Sequence, residues 1–132
     1  MHQPRILVAD DSRTIRALVR RTLAAAGYDV TLAADGKEAV ELARRDHPDL
    51  VILDIQMPEL DGYAACDKIL AMQDRCRELP IIFLTKETAK HLAALGSELG
   101  AYLQKPVADD TLLTTVRSLL QSNPSPGCGE AI

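Results

Sequence analysis

Apolar residues along the chain fall into short continuous runs separated by longer stretches in which they recur every three or four positions. The runs read as strands. They cover about 5–9, about 28–33 (the weakest), 49–53, the segment Ile81-Ile82-Phe83-Leu84 opened by Pro80, and about 101–104. The periodic stretches between them read as helices. The first, about 13–26, sets Ile15, Leu18, Val19, Thr22, Leu23 and Ala26 at helical spacing, with Ser12 or Asp11 to cap its start and Gly27 to end it. The second, about 36–46, buries Val40 and Ala43 and stops before Pro48. The loop 56–62 leads into a third helix, about 62–73, and a fourth, rich in Ala and Leu, is expected over about 88–98. The fifth, about 109–121, carries Leu112, Leu113, Val116, Leu119 and Leu120 on one face.

Strands that are apolar throughout, instead of alternating with polar residues, suit a parallel sheet covered on both sides. Regular alternation of strand and helix then predicts right-handed crossovers and a doubly wound α/β fold. Such sheets place ligands outside the carboxyl ends of their strands. Polar residues stand at those ends here. Asp10 and Asp11 follow the first run, Asp54 the third, Thr85 the fourth, and Lys105-Pro106 the fifth. Three acids, a hydroxyl and an amine make a site for a divalent metal and a phosphoryl group. Each acid alone has a plainer reading as a helix cap or turn residue, and a lone Lys is usually a solvated amine. Their convergence favours the site.

The bulk numbers narrow the field. The 132 residues are enough for one domain with a real core. Hydrophobic residues make up 47 % and charged residues 26 %, an ordinary globular balance. A net charge of −4 argues against a nucleic-acid-binding surface. No apolar stretch is as long as a membrane span, and no signal peptide precedes the first strand. Cys66, Cys76 and Cys128 lack CxxC spacing and read as free thiols of a reducing cytoplasm, and His2, His47 and His91 fall at no zinc-ligand spacing. Arg13, Arg16, Arg20 and Arg21 read as a solvated face of the first helix, Ile15 and Leu18 as core or partner contacts, and Arg44-Arg45 as solubility charge. The Pro/Gly/Ser-rich end reads as linker or tail.

Taken in order, Asp10-Asp11, Asp54, Met57-Pro58 with Asp61-Gly62, Thr85 and Lys105-Pro106 resemble the receiver domain of two-component response regulators, over roughly residues 5–121. The resemblance implies a flavodoxin-like, five-stranded sheet of order 2-1-3-4-5 with five helices, and a division into a receiver domain, 1–121, and a flexible tail or linker, 122–132. It implies phosphorylation on Asp54, with Mg²⁺ held by Asp10, Asp11, Asp54 and the backbone carbonyl of Gln56. Thr85 and Lys105 would contact the phosphoryl oxygens, and Thr85 with Tyr102 would form the switch. Gln56, Lys86 and Glu87 occupy positions that tune access and phosphate loss. The chain departs from the pattern in three places. Lys86 stands where a small residue is usual, the segment Glu98-Leu99-Gly100-Ala101-Tyr102 is shorter than usual, and Val107 replaces a common aromatic.

The chemistry suits the residues. Carboxylates a few ångströms apart repel by several kcal/mol at intermediate dielectric, and a hard cation with oxygen ligands relieves this. Phosphoryl transfer relies on positioning and charge neutralisation. The expected function is a cytoplasmic, phospho-accepting signalling switch, not an enzyme beyond its own phosphorylation and dephosphorylation. It would take its phosphoryl group from a sensor histidine kinase or phosphotransfer protein and act on a downstream protein or output domain, without touching nucleic acid or membrane itself. The alternative is a receiver-like protein–protein interaction domain that works without phosphorylation. A phosphatase or phosphotransferase with an aspartyl nucleophile is a third reading, weakened because Gln56 stands where such enzymes often have a second acid. A flavodoxin-like cofactor binder would need a Gly-rich phosphate loop after the first strand, which is missing.

Overall fold

A computed structural model of the chain describes residues 3–72, 79–85, 100–105 and 107–122. Five strands form one sheet: β1 (Arg5–Ala9), β2 (Asp29–Ala33), β3 (Leu50–Asp54), β4 (Ile81–Thr85) and β5 (Gly100–Gln104). All neighbours pair in parallel, in the order β2-β1-β3-β4-β5. This is the topology implied by the resemblance. β3 and β4 are buried along their whole length, as continuous apolar runs demand, whereas β2 sits at an edge and is only partly covered. The edge position explains its weaker sequence signal.

Four helices lie among the described residues: α1 (Arg13–Ala25), α2 (Gly36–Asp46), α3 (Gly62–Ala71) and α4 (Asp109–Ser122), the last being the fifth helical segment of the sequence. The segment expected as the fourth helix, 88–98, lies outside the described residues, as do Lys86, Glu87, Pro106, Cys76, Cys128 and the tail beyond Ser122. Alternate strand residues feed two cores. Leu7, Val51, Leu53, Ile81 and Phe83 pack under α2 and α3, while Ile6, Val8, Ile52, Ile82 and Leu84 pack under α1 and α4. Period-two alternation of side chains makes this division. Among the described residues, no helix is long and apolar enough to cross a membrane. Cys66 lies on the buried face of α3, and burial together with the Asp67 charge pushes its thiol up to about 11.

The caps follow the sequence. Ser12, not Asp11, caps α1, its hydroxyl accepting from the Ile15 N–H. Gly27, at φ 97°, adopts the left-handed conformation that lets the chain turn into β2. Asp35 caps α2 and Asp61 caps α3. Leu18, which the sequence leaves open between core and partner contact, is not core. It is 51 % exposed, because the buried row runs through Val19 and Leu23 and Leu18 falls to one side. Ala26 is exposed as well.

Two glycines hold the loop that follows β3. A Cβ on Gly36 would overlap the Leu60 carbonyl, and one on Gly62 would overlap the Asp54 carbonyl. Alanine at position 36 would favour the helix by up to about 1 kcal/mol, but relieving the overlap should cost about 1–3 kcal/mol. Gly36→Ala is therefore expected to be less stable in urea denaturation. A midpoint equal to or above that of the parent would show that the loop yields freely.

Candidate functional site

β1 and β3 are adjacent in the sheet, so the residues at their carboxyl ends meet. Asp10 follows β1 directly, and its N–H donates to the Ala33 carbonyl at 3.2 Å, extending the β1–β2 ladder. Asp54 is the last residue of β3, where the sequence placed it just beyond the strand. Both carboxylates are buried, Asp10 at 0 % and Asp54 at 4 % exposure. Asp11 is exposed at the rim. One carboxylate oxygen from each of Asp10, Asp11 and Asp54 lies within 4.8 Å of the others. The sequence-predicted acids are thus brought together.

Lys105, which follows β5, reaches across β4 into this cluster. Its Nζ stands 2.9 Å from Asp10 Oδ2 and 2.9 Å from Asp54 Oδ2. Its backbone N–H donates to the Thr85 carbonyl at 2.7 Å, tying the end of β5 to the end of β4. Thr85, at 5 % exposure, is buried at the end of β4 beside this tie. Asp10 Oδ1 accepts from the Ser12 N–H at 2.8 Å, and Asp54 Oδ1 from the Gln56 N–H at 3.2 Å. Gln56 itself is exposed, and its loop returns to the sheet through Gly62 N–H donating to the Ile55 carbonyl at 2.8 Å.

Burial dominates the electrostatics of Asp54. It lifts the carboxyl to about 6. The hydrogen bond from Lys105 opposes the shift, the Asp10 charge reinforces it, and the Lys105 charge and the Gln56 N–H oppose it. Burial also works against a charged Lys105, but the two carboxylates prevail and its ammonium is held above its ordinary range. Fully ionised, the three acids and one ammonium carry a formal charge of −2. Asp10 Oδ2 is fully buried and, among the described residues, receives no directed hydrogen bond, only the ion pair with Lys105. An all-oxygen, net-negative cluster with an underserved buried oxygen fits a hard divalent cation such as Mg²⁺.

Tyr102 lies one strand away on the α2–α3 face, its ring stacked on Phe83 with centroids 5.1 Å apart. Phe83 also meets Tyr63 of α3 at 5.1 Å, so three aromatic rings run in line. Tyr102 is expected by resemblance alone, and nothing in the sequence points to Phe83 or Tyr63 beside it. Helical spacing leaves Arg16 among the solvated charges of α1. Arg16 instead donates from Nη1 to the Asp10 carbonyl at 2.6 Å. Nothing in the sequence separates it from Arg13, Arg20 and Arg21, since its partner is a backbone carbonyl.

The response regulator receiver domain model matches residues 6–117. The response regulator MprA of Mycolicibacterium vanbaalenii is 43 % identical over 130 residues, covering 96 % of this chain and 55 % of the relative. The chain therefore spans about half the length of that relative. Among solved structures, the chemotaxis response regulator CheY4 of Vibrio cholerae superposes with a TM-score of 0.77 at 36 % identity, covering 90 % of this chain and 100 % of that one. The receiver domain of PhyR from Erythrobacter litoralis gives 0.80 at 27 % identity, with 96 % of each chain covered. A parallel sheet of this order, an acidic cluster at its carboxyl edge and similarity over nearly the whole length agree: the chain belongs to the response regulator receiver domain family.

Proposed function

We propose that Asp54 is the phospho-acceptor of this receiver domain and that its phosphorylation changes the partner-binding surface. The observation that carries the reading is the buried Asp54, sharing one ammonium with a second buried acid and standing within reach of a third. A carboxylate oxygen of Asp54 attacks the phosphorus of a phosphohistidine on a sensor kinase or phosphotransfer protein. The phosphorus–nitrogen bond breaks, and the acyl phosphate remains on Asp54. Asp10, Asp11, Asp54 and the Gln56 carbonyl would hold Mg²⁺, which supplies the positive charge that lets two anions approach. Lys105 already contacts Asp54 and can follow the new oxygens. Thr85, buried at the end of β4, would donate its hydroxyl to them.

The phosphoryl group carries about 1.5–2 negative charges at neutral pH, in place of the single carboxylate charge it caps. Lys105 and Thr85 respond to that charge, and their loops move with them. Tyr102 is coupled to Thr85 through β4, since it stacks on Phe83 two residues before Thr85. The change biases a two-state equilibrium at the face that carries β5 and α4, the surface offered to a downstream protein or output domain. Gln56, Lys86 and Glu87 would set access and phosphoryl lifetime. The receiver domain would end near residue 121, with a tail or linker after it, and would work in the cytoplasm as a signalling module that turns over no separate substrate.

The test is intact mass after treatment with a small-molecule phosphodonor and Mg²⁺. The parent chain is expected to gain one phosphoryl group, and Asp54→Ala none. A parent that gains nothing would leave an interaction domain that works without phosphorylation. A variant that gains the group as readily would move the acceptor elsewhere.

A further inference from the structure

Arg16 stands on α1, one turn beyond the Ser12 cap, and is half-buried. Its guanidinium does not lie in solvent with Arg13, Arg20 and Arg21. It turns back over the helix start to the Asp10 carbonyl, at 2.6 Å. That carbonyl belongs to the peptide joining the two adjacent acids. Asp10 is thereby held through every polar group it has: its N–H on Ala33, its carbonyl on Arg16, Oδ1 on the Ser12 N–H and Oδ2 on Lys105. Asp11 has an exposed side chain, yet one of its oxygens lies within 4.8 Å of the Asp10 and Asp54 oxygens. The orientation of the peptide before Asp11 decides where that side chain starts.

We infer that Arg16 is a positioning residue of the acidic site: by fixing the Asp10–Asp11 peptide it keeps the exposed Asp11 carboxylate turned toward Asp54, ready for a divalent cation. The inference rests on the cation-binding reading of the cluster. Two effects of Arg16 oppose each other, and their balance gives the test its sign. As a nearby positive charge, Arg16 repels a dication; as a clamp, it assembles the dication's ligands. Partners that orient metal ligands typically change affinity by about 10–100-fold when removed, more than a half-exposed charge is worth across a screened surface.

Magnesium chloride titrated calorimetrically into the intact chain reads the outcome. Arg16→Gln is expected to bind about tenfold more weakly than the parent. Arg16→Lys, which keeps the charge and a single donor, should fall between them. Arg20→Gln removes an exposed charge of the same helix and should bind like the parent. With a small-molecule phosphodonor, the Arg16→Gln phosphorylation rate should return toward that of the parent at saturating Mg²⁺, which a general loosening of the fold would not produce. Equal or tighter binding by Arg16→Gln overturns the inference, as does a rate that stays depressed at saturation. If Arg16→Gln fails to fold, the same titration of Arg16→Lys decides, and affinity equal to the parent's overturns it. A parent that takes up no magnesium instead overturns the cation-binding reading itself.

Discussion

Replacing Lys105 with methionine is expected to lower the unfolding free energy by about 3–5 kcal/mol at neutral pH in a chelator. Methionine keeps much of the apolar stem and removes only the ammonium. That ammonium stands 2.9 Å from an oxygen of each of two buried carboxylates. Without it, Asp10 Oδ2 loses its ion pair, and no other described residue gives it a hydrogen bond in exchange. The two acids then face each other across a low-dielectric gap, and one must take up a proton or draw in water. Proton uptake limits the loss, which places the expected value toward the lower end of the range. The same reasoning predicts a rescue. A cation that binds only the folded state stabilises it by about 2.7 kcal/mol at a hundred times its dissociation constant. With the competing ammonium gone, the acidic oxygens should bind Mg²⁺ more tightly, so magnesium should restore more stability to Lys105→Met than it adds to the parent. Urea denaturation of both proteins, in chelator and in magnesium, measures the four free energies. Equal stability in chelator, or equal gains from magnesium, would remove Lys105 from its place as the counter-charge of the cluster.

How far the sequence carries this picture depends on what kind of partner each residue has. β1, β3 and β4 were legible because a strand covered on both faces has to be apolar throughout, and Ile6–Ala9, Leu50–Leu53 and Ile81–Leu84 are. Asp10, Asp54 and Lys105 were legible because a parallel sheet brings the ends of its strands together, so charged residues at those ends must share a site. Arg16 was not. Its partner is a backbone carbonyl, which no residue type announces, and four arginines on one helix look alike until the chain is folded. Leu18 stayed open between core and surface for a related reason. Helical spacing groups it with Val19 and Leu23, but the sheet covers only the row through those two residues. The contact between Gly36 and Leu60 joins segments far apart in sequence, and nothing local to either position signals it. The Tyr63–Phe83–Tyr102 line was hidden in the same way, since it takes one ring from a helix and two from neighbouring strands.

Asp54→Asn is expected to be more stable than the parent at pH 7 in a chelator, and the advantage should vanish on acidification. Burial holds the Asp54 carboxyl at about 6 in the folded chain, against about 3.9 in an unfolded one. Between those values the folded state binds more protons than the unfolded state, so the contribution of this group to stability is present below about pH 4 and is lost as pH rises through 6. A shift of about two units corresponds to about 3 kcal/mol, with the opposing contacts of the Lys105 ammonium and the Gln56 N–H already included in it. Asparagine keeps the shape and an oxygen for the Gln56 N–H while removing the charge. The parent-minus-variant difference is the quantity to follow, because Asp46, whose carboxyl is held below its ordinary range by the Arg45 hydrogen bond, acts in the opposite direction in both proteins. Thermal or urea unfolding from pH 4 to 7 should show that difference falling steadily. A difference that stays flat, or a variant less stable than the parent at pH 7, would mean that Lys105 compensates the Asp54 charge completely. The same trend explains why a reactive carboxylate belongs in this place. Ionised near neutral pH but poorly solvated, it is destabilising by itself, and any positive charge that enters the cluster, or any electrophile that takes up its electron pair, relieves it.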